Sequence, residues 1–585
     1  MTRTATGSGP RFSLCDNGPG LNSRARSTGL HSQDTPRFDP ASPVDFVVVG
    51  AGAAGGVVAK ELSTAGFTVV VLEQGPYLKE SDFDHDELKV AWHGALTNDH
   101  KRQPNTFRKT EKDKAKLQPS IGYGRMVGGG SVHFTGNYWR FHEIDFTERS
   151  RLGPIAGSGF SDWPITYSDL EPYYTKVEWE IGVSGLAGSS PFDPPRSKPY
   201  PVPPLPVKSS GVLMERGARK LGLHPFPAPM AILSQPHNGR NACIHCGFCE
   251  QFGCEVGAKS SSLATVIRVA EKTGRSEIRP ESYVRRIEID GSGRVTGVTY
   301  FDSKGTEVFQ KAKAVVVCAN GAETPRLLLM SKSNLFPQGL ANSNGLVGKY
   351  LMFNGGSFAG GLFEHQLNEY KSVVVSRVVH DFYDCDLKRG FYGGGGIDFR
   401  HDLLPISFAL FGLPMDGPRW GAGYKAMLNE YYTRTTYAVG HTTSLPVIGN
   451  SISLDPVVKD AWGLPAIRVT YKDHPDDIRF EKFMLERSKE LLEAAGARKV
   501  WTYPVEEQQG AVHLLGTCRM GNDPKTSVIS RDHRAHDVPN LFLCDGSSFV
   551  TSGRGQPTCT IQALAFRASD RIVNLAKRGD IKTAF

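Results

Sequence analysis

The stretch DFVVVGAGAAGGVVAKELSTAGFTVVVLEQG, Asp45 to Gly75, decides the fold. An apolar run short enough for a buried strand meets a glycine turn, then a helical segment, then a second apolar run that ends at Glu73. Strand, glycine turn, helix and strand in that order make a βαβ dinucleotide unit. Gly50 supplies the tight turn, Gly52 lets the backbone approach a pyrophosphate, and Gly55 permits close packing of the helix. Ala53 and Ala54 open that helix, whose first N–H groups face the phosphates. Glu73, 23 residues beyond Gly50, stands where a carboxylate takes ribose hydroxyls, with Gln74 beside it. NAD and FAD share this fingerprint, so it fixes an α/β class with a Rossmann-type domain and leaves the cofactor open.

The remainder of the chain sets the bounds. At 585 residues with 39% hydrophobic content it can bury a large core and divide into two or more domains. A net charge of +8 (68 basic minus 60 acidic) without a long basic run argues against a nucleic-acid partner. No apolar stretch approaches the roughly 18 residues of a membrane span. The first 40 residues, rich in Arg, Gly and Ser, read as a disordered tail, with a transit peptide as the sharper alternative. They hold no recognisable export signal. Cys15, Cys318, Cys385, Cys518, Cys544 and Cys559 are scattered, which suits free thiols better than a disulfide framework.

Two further motifs speak to the cofactor: GRMVGGGSVHFTGNYWRF from Gly124, and HLLGTCRMG from His513 followed by NLFLCDGSSFVTSGRGQPTCTIQALAFRASDRI from Asn540. With the first turn, and in this order and spacing from about residue 44 to 572, they resemble the glucose-methanol-choline (GMC) flavoprotein oxidoreductases. The resemblance implies FAD. It implies a Rossmann-type FAD-binding domain joined to a substrate domain built on an antiparallel sheet backed by helices. It places Arg125, Val127, Gly128, Gly129, Gly130 and Ser131 in a loop along the flavin, and Asp545 and Gly546 against its ribityl chain and ring. Val284, Pro557 and Thr558 complete the expected cofactor-binding set. His133 stands where some members, pyranose oxidases among them, carry flavin on a histidine, so a covalent bond and a packing contact are both open. GAETPRLLLMSKS from Gly321 keeps the Gly, Thr-Pro and apolar run of a second family signature but lacks its usual ending.

An alcohol gives hydride to a flavin only as its proton leaves, and a neutral imidazole near pH 7 is suited to take that proton. The resemblance puts His513 above the flavin as this base and Gln556 as its partner. Gln556 replaces the usual His or Asn; its amide can hydrogen-bond a substrate oxygen but cannot act as a base.

Cys243, Cys246, Cys249 and Cys254 fall within twelve residues, in CIHCGFCEQFGC. Zinc usually takes two separated ligand pairs, so this single loop favours an iron–sulfur cluster over zinc or unligated thiols. The loop resembles that of cluster-bearing sugar and glucoside dehydrogenases of the family. It lacks the proline that ends bacterial ferredoxin motifs, which leaves 3Fe-4S and 4Fe-4S both open. Exposed Phe248 and Phe252 would suit docking of a partner, and His245 reads as an exposed loop residue, with a substitute ligand or a partner contact as the alternatives.

These readings divide the chain into a tail at 1–40, a discontinuous FAD-binding domain at 41–350 and 505–585, and a substrate domain at 351–504. The FAD-binding domain contains a proline-rich connector at 191–240 and the cysteine loop at 241–260. Tyr283 to Ile289, the turn DGSG, and Arg294 to Phe301 read as a hairpin, and a helix follows Asp477 and ends near Gly496. Tyr392, Trp420, Tyr431 and Tyr432 offer aromatic faces to a sugar or to the core. The expected activity is dehydrogenation of a sugar, glycoside or polyol hydroxyl. Electrons would leave through the cluster to a cytochrome or quinone, and a small accessory subunit is implied by resemblance. Co-export with a signal-bearing subunit would make the protein periplasmic; otherwise it is cytoplasmic. The alternatives are an oxygen-using oxidase with structural cysteines, and a redox-neutral flavoprotein lyase or non-catalytic electron carrier.

Overall fold

The computed structural model describes residues 36–585; the expected tail falls outside the described residues up to position 35, as does Cys15. Residues 37–40 are tied down, because the Phe38 N–H donates to Glu277 at 3.0 Å and the Lys311 N–H donates to the Pro40 carbonyl at 3.0 Å. The first strand, β1 (Val44–Val49), leads through the glycine turn into helix α1 (Ala53–Thr64) and strand β2 (Val69–Leu72). β1 pairs in parallel with β2 on one side and with Glu307–Val317 on the other. Val47, Val48, Val57, Val58, Val69, Val70 and Val71 have no exposed surface. Burying each such side chain contributes about 1.5–3 kcal/mol before chain entropy is counted, enough to fix the unit's register.

Among the described residues the chain forms three sheets. The first extends β1 and β2 with Ser276–Arg279 and Leu541–Leu543 in parallel, and with the antiparallel strands Tyr283–Ile289 and Val295–Phe301. The hairpin expected from alternating residues is therefore present, and its return strand Glu307–Val317 carries the chain back beside β1.

The second sheet is antiparallel throughout, in the order Lys499–Thr502, Gly356–Leu362, Thr435–Thr442, Gly395–Arg400, Val375–Val379, Pro225–Pro227. Helix Pro475–Ala495 lies across it and buries Phe480, Met484, Leu491 and Leu492; Gly496, left-handed at φ 98°, ends that helix. Within the proline-rich segment, residues 191–206 make neither helix nor strand, as proline's fixed φ and missing donor dictate. Ser209–Lys220 is helical, however, and Pro225–Pro227 supplies an edge strand, where proline is tolerated. A third sheet joins Ser451–Lys459 and Pro465–Thr470 to Asn105–Arg108 and Lys116–Leu117. No described helix is long and apolar enough to cross a membrane.

Candidate active site

The first part of the site is a cradle of backbone. Gly50 is left-handed at φ 94°, and a Cβ there would lie 2.6 Å from the Cys318 carbonyl oxygen. A Cβ on Gly55 would lie 1.9 Å from the Gly50 oxygen, so turn and helix close only with glycine at both places. Gly52, the N-cap of α1, offers no side chain to the helix's first N–H groups, which remain free to bind an anion. Gly129 packs its Cα against Gly52, a Cβ there meeting the Gly52 Cα at 2.8 Å, whereas a Cβ on Gly130 would meet nothing within 4 Å. The two glycine loops thus lie against each other and leave a space that side chains would fill. The Gly128 N–H donates to the Ala51 carbonyl at 2.8 Å and the Val127 N–H to the Pro76 carbonyl at 3.0 Å, locking the second loop beside the first.

Glu73 is buried and accepts from the Ala51 and Gly75 N–H groups, each at 2.9 Å; desolvation pushes its carboxyl up to about 6 against those donors. It braces the turn, and each oxygen keeps a lone pair. Gln74 accepts from the Gln103 amide at 2.8 Å, and the Arg125 guanidinium reaches the Gln74 carbonyl at 3.4 Å. The strand containing Val284 begins beside them, since the Ser282 N–H donates to the Glu73 carbonyl at 2.8 Å. The Asp545 carboxylate is used inside the protein: it accepts from the Ser547 N–H at 2.7 Å, the Asn320 N–H at 3.1 Å and the Thr324 hydroxyl at 2.6 Å. Helix Thr558–Lys577 begins directly after Pro557 with no side-chain cap. The His133 Nε2 is buried without a partner, and burial together with the nearby Lys259 ammonium holds the imidazole down to about 4. Open glycine surface, uncapped helix starts and an orphaned ring nitrogen fit FAD: Gly52, Ala53, Ala54, Gly129 and Gly130 would hold its phosphates and flank its ring system.

The residues expected for chemistry, His513 and Gln556, both lie in the C-terminal part of the chain. The segment carrying His513 runs along the Asp545–Ser547 turn, the Gly516 N–H donating to the Gly546 carbonyl at 3.0 Å. Among the described residues the His513 ring has no hydrogen-bond partner, and desolvation with His441 nearby pushes it down to about 4. Gln556 is half-buried, and its Nε2 lies 3.3 Å from Nδ1 of His441. His441 is a residue that the sequence reading missed. Its Nε2 stands 2.8 Å from Oδ2 of Asp398, which is fully buried and takes two hydrogen bonds from Arg400, at 2.7 and 2.6 Å, and one from Asn137 at 3.2 Å. These contacts and the Arg400 charge hold the Asp398 carboxyl far below the usual range against its desolvation. The signal was present: Asp398 and His441 interrupt the small and apolar strands GGIDFR and TTYAVGHT, and buried polar residues are found paired.

The four cysteines line one cavity of about 20 Å³ with Ile232, Phe248 and Lys259, roughly the room one water needs. All of them are free, and among the described residues no three His, Cys, Asp or Glu side chains stand where they could hold a metal ion. The spacing gathers the thiols, but their present arrangement is not a formed ligand set. Burial pushes the Cys249 thiol up to about 12. Two expectations for this loop need correction. Phe252 is buried, and Phe248 stacks on His85 with centroids 4.0 Å apart, so the exposed apolar residue is Ile244 at 57%. His245 is half-buried, its Nδ1 2.7 Å from the Ser372 hydroxyl. Of the candidate sugar-stacking aromatics, Tyr392 and Tyr431 are buried, Tyr432 stacks on Tyr370, and Trp420 is 85% exposed. Cys318, Cys518, Cys544 and Cys559 are buried free thiols.

A dinucleotide cradle and an unpartnered imidazole suit a dinucleotide-dependent oxidoreductase. The GMC oxidoreductase family models match residues 44–352 and 446–565, and the chain belongs to that family. It is similar to the 2-methyl-1,2-propanediol dehydrogenase of Mycolicibacterium austroafricanum, 35% identical over 91% of this chain and 95% of that one. It is also similar to the fructose dehydrogenase large subunit of Gluconobacter japonicus, 28% identical over 92% of this chain and 98% of that one. Among solved structures, a formate oxidase of Aspergillus oryzae shares the fold, with a TM-score of 0.60 at 16% identity over 92% of this chain and 99% of that one. The protein is an FAD-dependent oxidoreductase acting on CH–OH donors.

Proposed function

We propose that the protein is a dehydrogenase of a sugar, glycoside or polyol hydroxyl, with His513 as the base. The observation that carries this reading is the His513 ring: it is neutral, without a protein partner, and set on the segment that runs beside the Asp545–Ser547 turn. When bound, FAD supplies the acceptor for the hydride of the substrate carbon. An unprotonated imidazole nitrogen of His513 takes the hydroxyl proton, and the Gln556 amide holds the substrate oxygen. The low basicity that burial gives His513 keeps it unprotonated across the neutral range. The dehydrogenases among the relatives support the reaction class.

The finer reading is that the cysteine loop carries an iron–sulfur cluster through which electrons leave to a cytochrome or quinone, in company with a small accessory subunit. Its support is the C-x2-C-x2-C-x4-C spacing, the one cavity shared by four thiols, and the name of the relative that is a large subunit. Residence in the periplasm would follow from export with such a subunit. Anaerobic purification followed by iron, acid-labile sulfide and paramagnetic resonance measurements tests the cluster. Flavin-loaded, active protein with neither iron nor sulfide would remove it. Oxygen uptake equal to product formation would make the enzyme an oxidase.

A further inference from the structure

We propose that His441 positions the Gln556 amide for the reaction. This inference rests on the reading of His513 and Gln556 as the catalytic pair. His441 lies on the strand Thr435–Thr442, inside the second sheet, and nine-tenths of it is buried. Three contacts fix its ring. Nε2 lies 2.8 Å from the Asp398 carboxylate, the Trp139 ring meets it edge-on at 5.3 Å and 88°, and Nδ1 lies 3.3 Å from the Gln556 amide nitrogen.

The tautomer follows from the acid. Asp398 is ionised beside Arg400 and can only accept, so a ring nitrogen 2.8 Å away must carry the proton. Arg400 Nη2 also lies 3.1 Å from this nitrogen but donates to Asp398 at the shorter 2.6 Å. In the neutral ring with its proton on Nε2, Nδ1 presents a lone pair, which is the group that the Gln556 Nε2 faces at 3.3 Å. The Gln556 NH2 group turns toward it, and the carbonyl end of the amide is set by the same bond. A glutamine side chain has several rotatable bonds, and fixing one end removes the entropy that a reacting complex would otherwise have to supply.

The backbone is shaped to permit this contact. Gly555 is left-handed at φ 102°, and a Cβ there would lie 2.6 Å from the His441 Cβ. Any other residue before Gln556 would push the two side chains apart. Arg554 is anchored by the buried carboxylates of Asp145 and Glu148, so the segment that delivers Gln556 is held from its other side as well. Asp398, His441 and Gln556 thus form a line that starts at a buried ion pair and ends at the amide.

The test uses two substitutions that each keep one half of the imidazole. His441→Asn retains a polar group at the place of Nδ1, toward Gln556; His441→Gln retains one at the place of Nε2, toward Asp398. In flavin-loaded enzyme we expect His441→Gln to lose on the order of 10- to 100-fold in kcat with KM less affected, and His441→Asn to keep the larger share of kcat. A role confined to packing or to Asp398 would reverse that order, and wild-type kcat in His441→Gln would also overturn the proposal. Should both variants lose activity, a cycle with Gln556→Ala decides: losses that fail to add support action through Gln556, and losses that add refute it. His513→Gln is measured in parallel. If it keeps turnover, the catalytic pair itself is wrong; if it loses turnover while His441→Gln does not, only the present inference falls.

Discussion

The backbone N–H of Gln251 donates to the carbonyl of His133 at 2.7 Å, joining the cysteine loop to the loop that carries the glycine triplet. Lys259 completes the join. Its buried ammonium shares three N–H donors among the carbonyls of Val132 at 3.2 Å and Phe134 at 3.1 Å on one side, and of Phe252 at 2.8 Å and Cys249 on the other. Ser262 extends it, bonding both Gly128 and Ser131 at 3.1 Å. The cysteine loop is therefore hydrogen-bonded to the glycine loop expected to run along the flavin.

Replacing Lys259 by Met should remove the three N–H donors that four buried carbonyls share. We expect a loss of about 3 kcal/mol or more of stability, read by urea unfolding, with lower flavin content in the surviving fold. Unchanged stability would mean that water replaces the ammonium and that the join carries no load.

Gly52→Ala and Gly55→Ala should separate cofactor binding from folding. The first adds a Cβ into open space, its nearest neighbour 4.0 Å away, and should fold but retain less FAD. The second puts a Cβ 1.9 Å from the Gly50 oxygen and should fail to give folded protein, since overpacking of this kind costs about 1–3 kcal/mol or more. Flavin-to-protein ratio and circular dichroism distinguish the two. Full flavin content in Gly52→Ala would displace the phosphate site from this turn.

His513→Gln should lose about 10²- to 10⁴-fold in kcat while keeping its flavin absorbance, because a glutamine of similar size cannot take the proton. Wild-type turnover would eliminate His513 as the base.

The acid limb of kcat/KM should lie far below that of an ordinary histidine. The His513 pKa is pushed down to about 4, and the base works only when neutral, so activity should hold as pH falls from 7 and then decline through about 4. The profile is to be measured with flavin content checked at each pH. A limb near the usual 6.5 would show that the ring is solvated in the free enzyme.

Much of the fold was legible because it depends on local patterns. The glycine turn, the flanking valine strands, the hairpin at 283–301 and the helix closed by Gly496 are written in spacing and in residues with restricted φ. The Phe248 and Phe252 expectation failed for the opposite reason. A short loop between polar residues reads as exposed, and only the packing of Phe248 on His85 and on Phe252 shows otherwise.

The candidate site divides in the same way. Gly50, Gly52, Gly55, Gly129 and Gly130 could be picked out from the sequence, because close backbone approach demands glycine wherever the rest of the fold lies. His441 and Asp398 stood out only as polar residues in apolar strands and could not be paired, because residues 43 apart meet at 2.8 Å only when neighbouring strands bring them together. By itself the sequence determined the nucleotide unit, the family motifs and the clustering of four cysteines. The tertiary structure decided which polar side chains meet around Gln556 and that the cysteine loop is hydrogen-bonded to the glycine-triplet loop, since both depend on contacts between segments far apart in the chain.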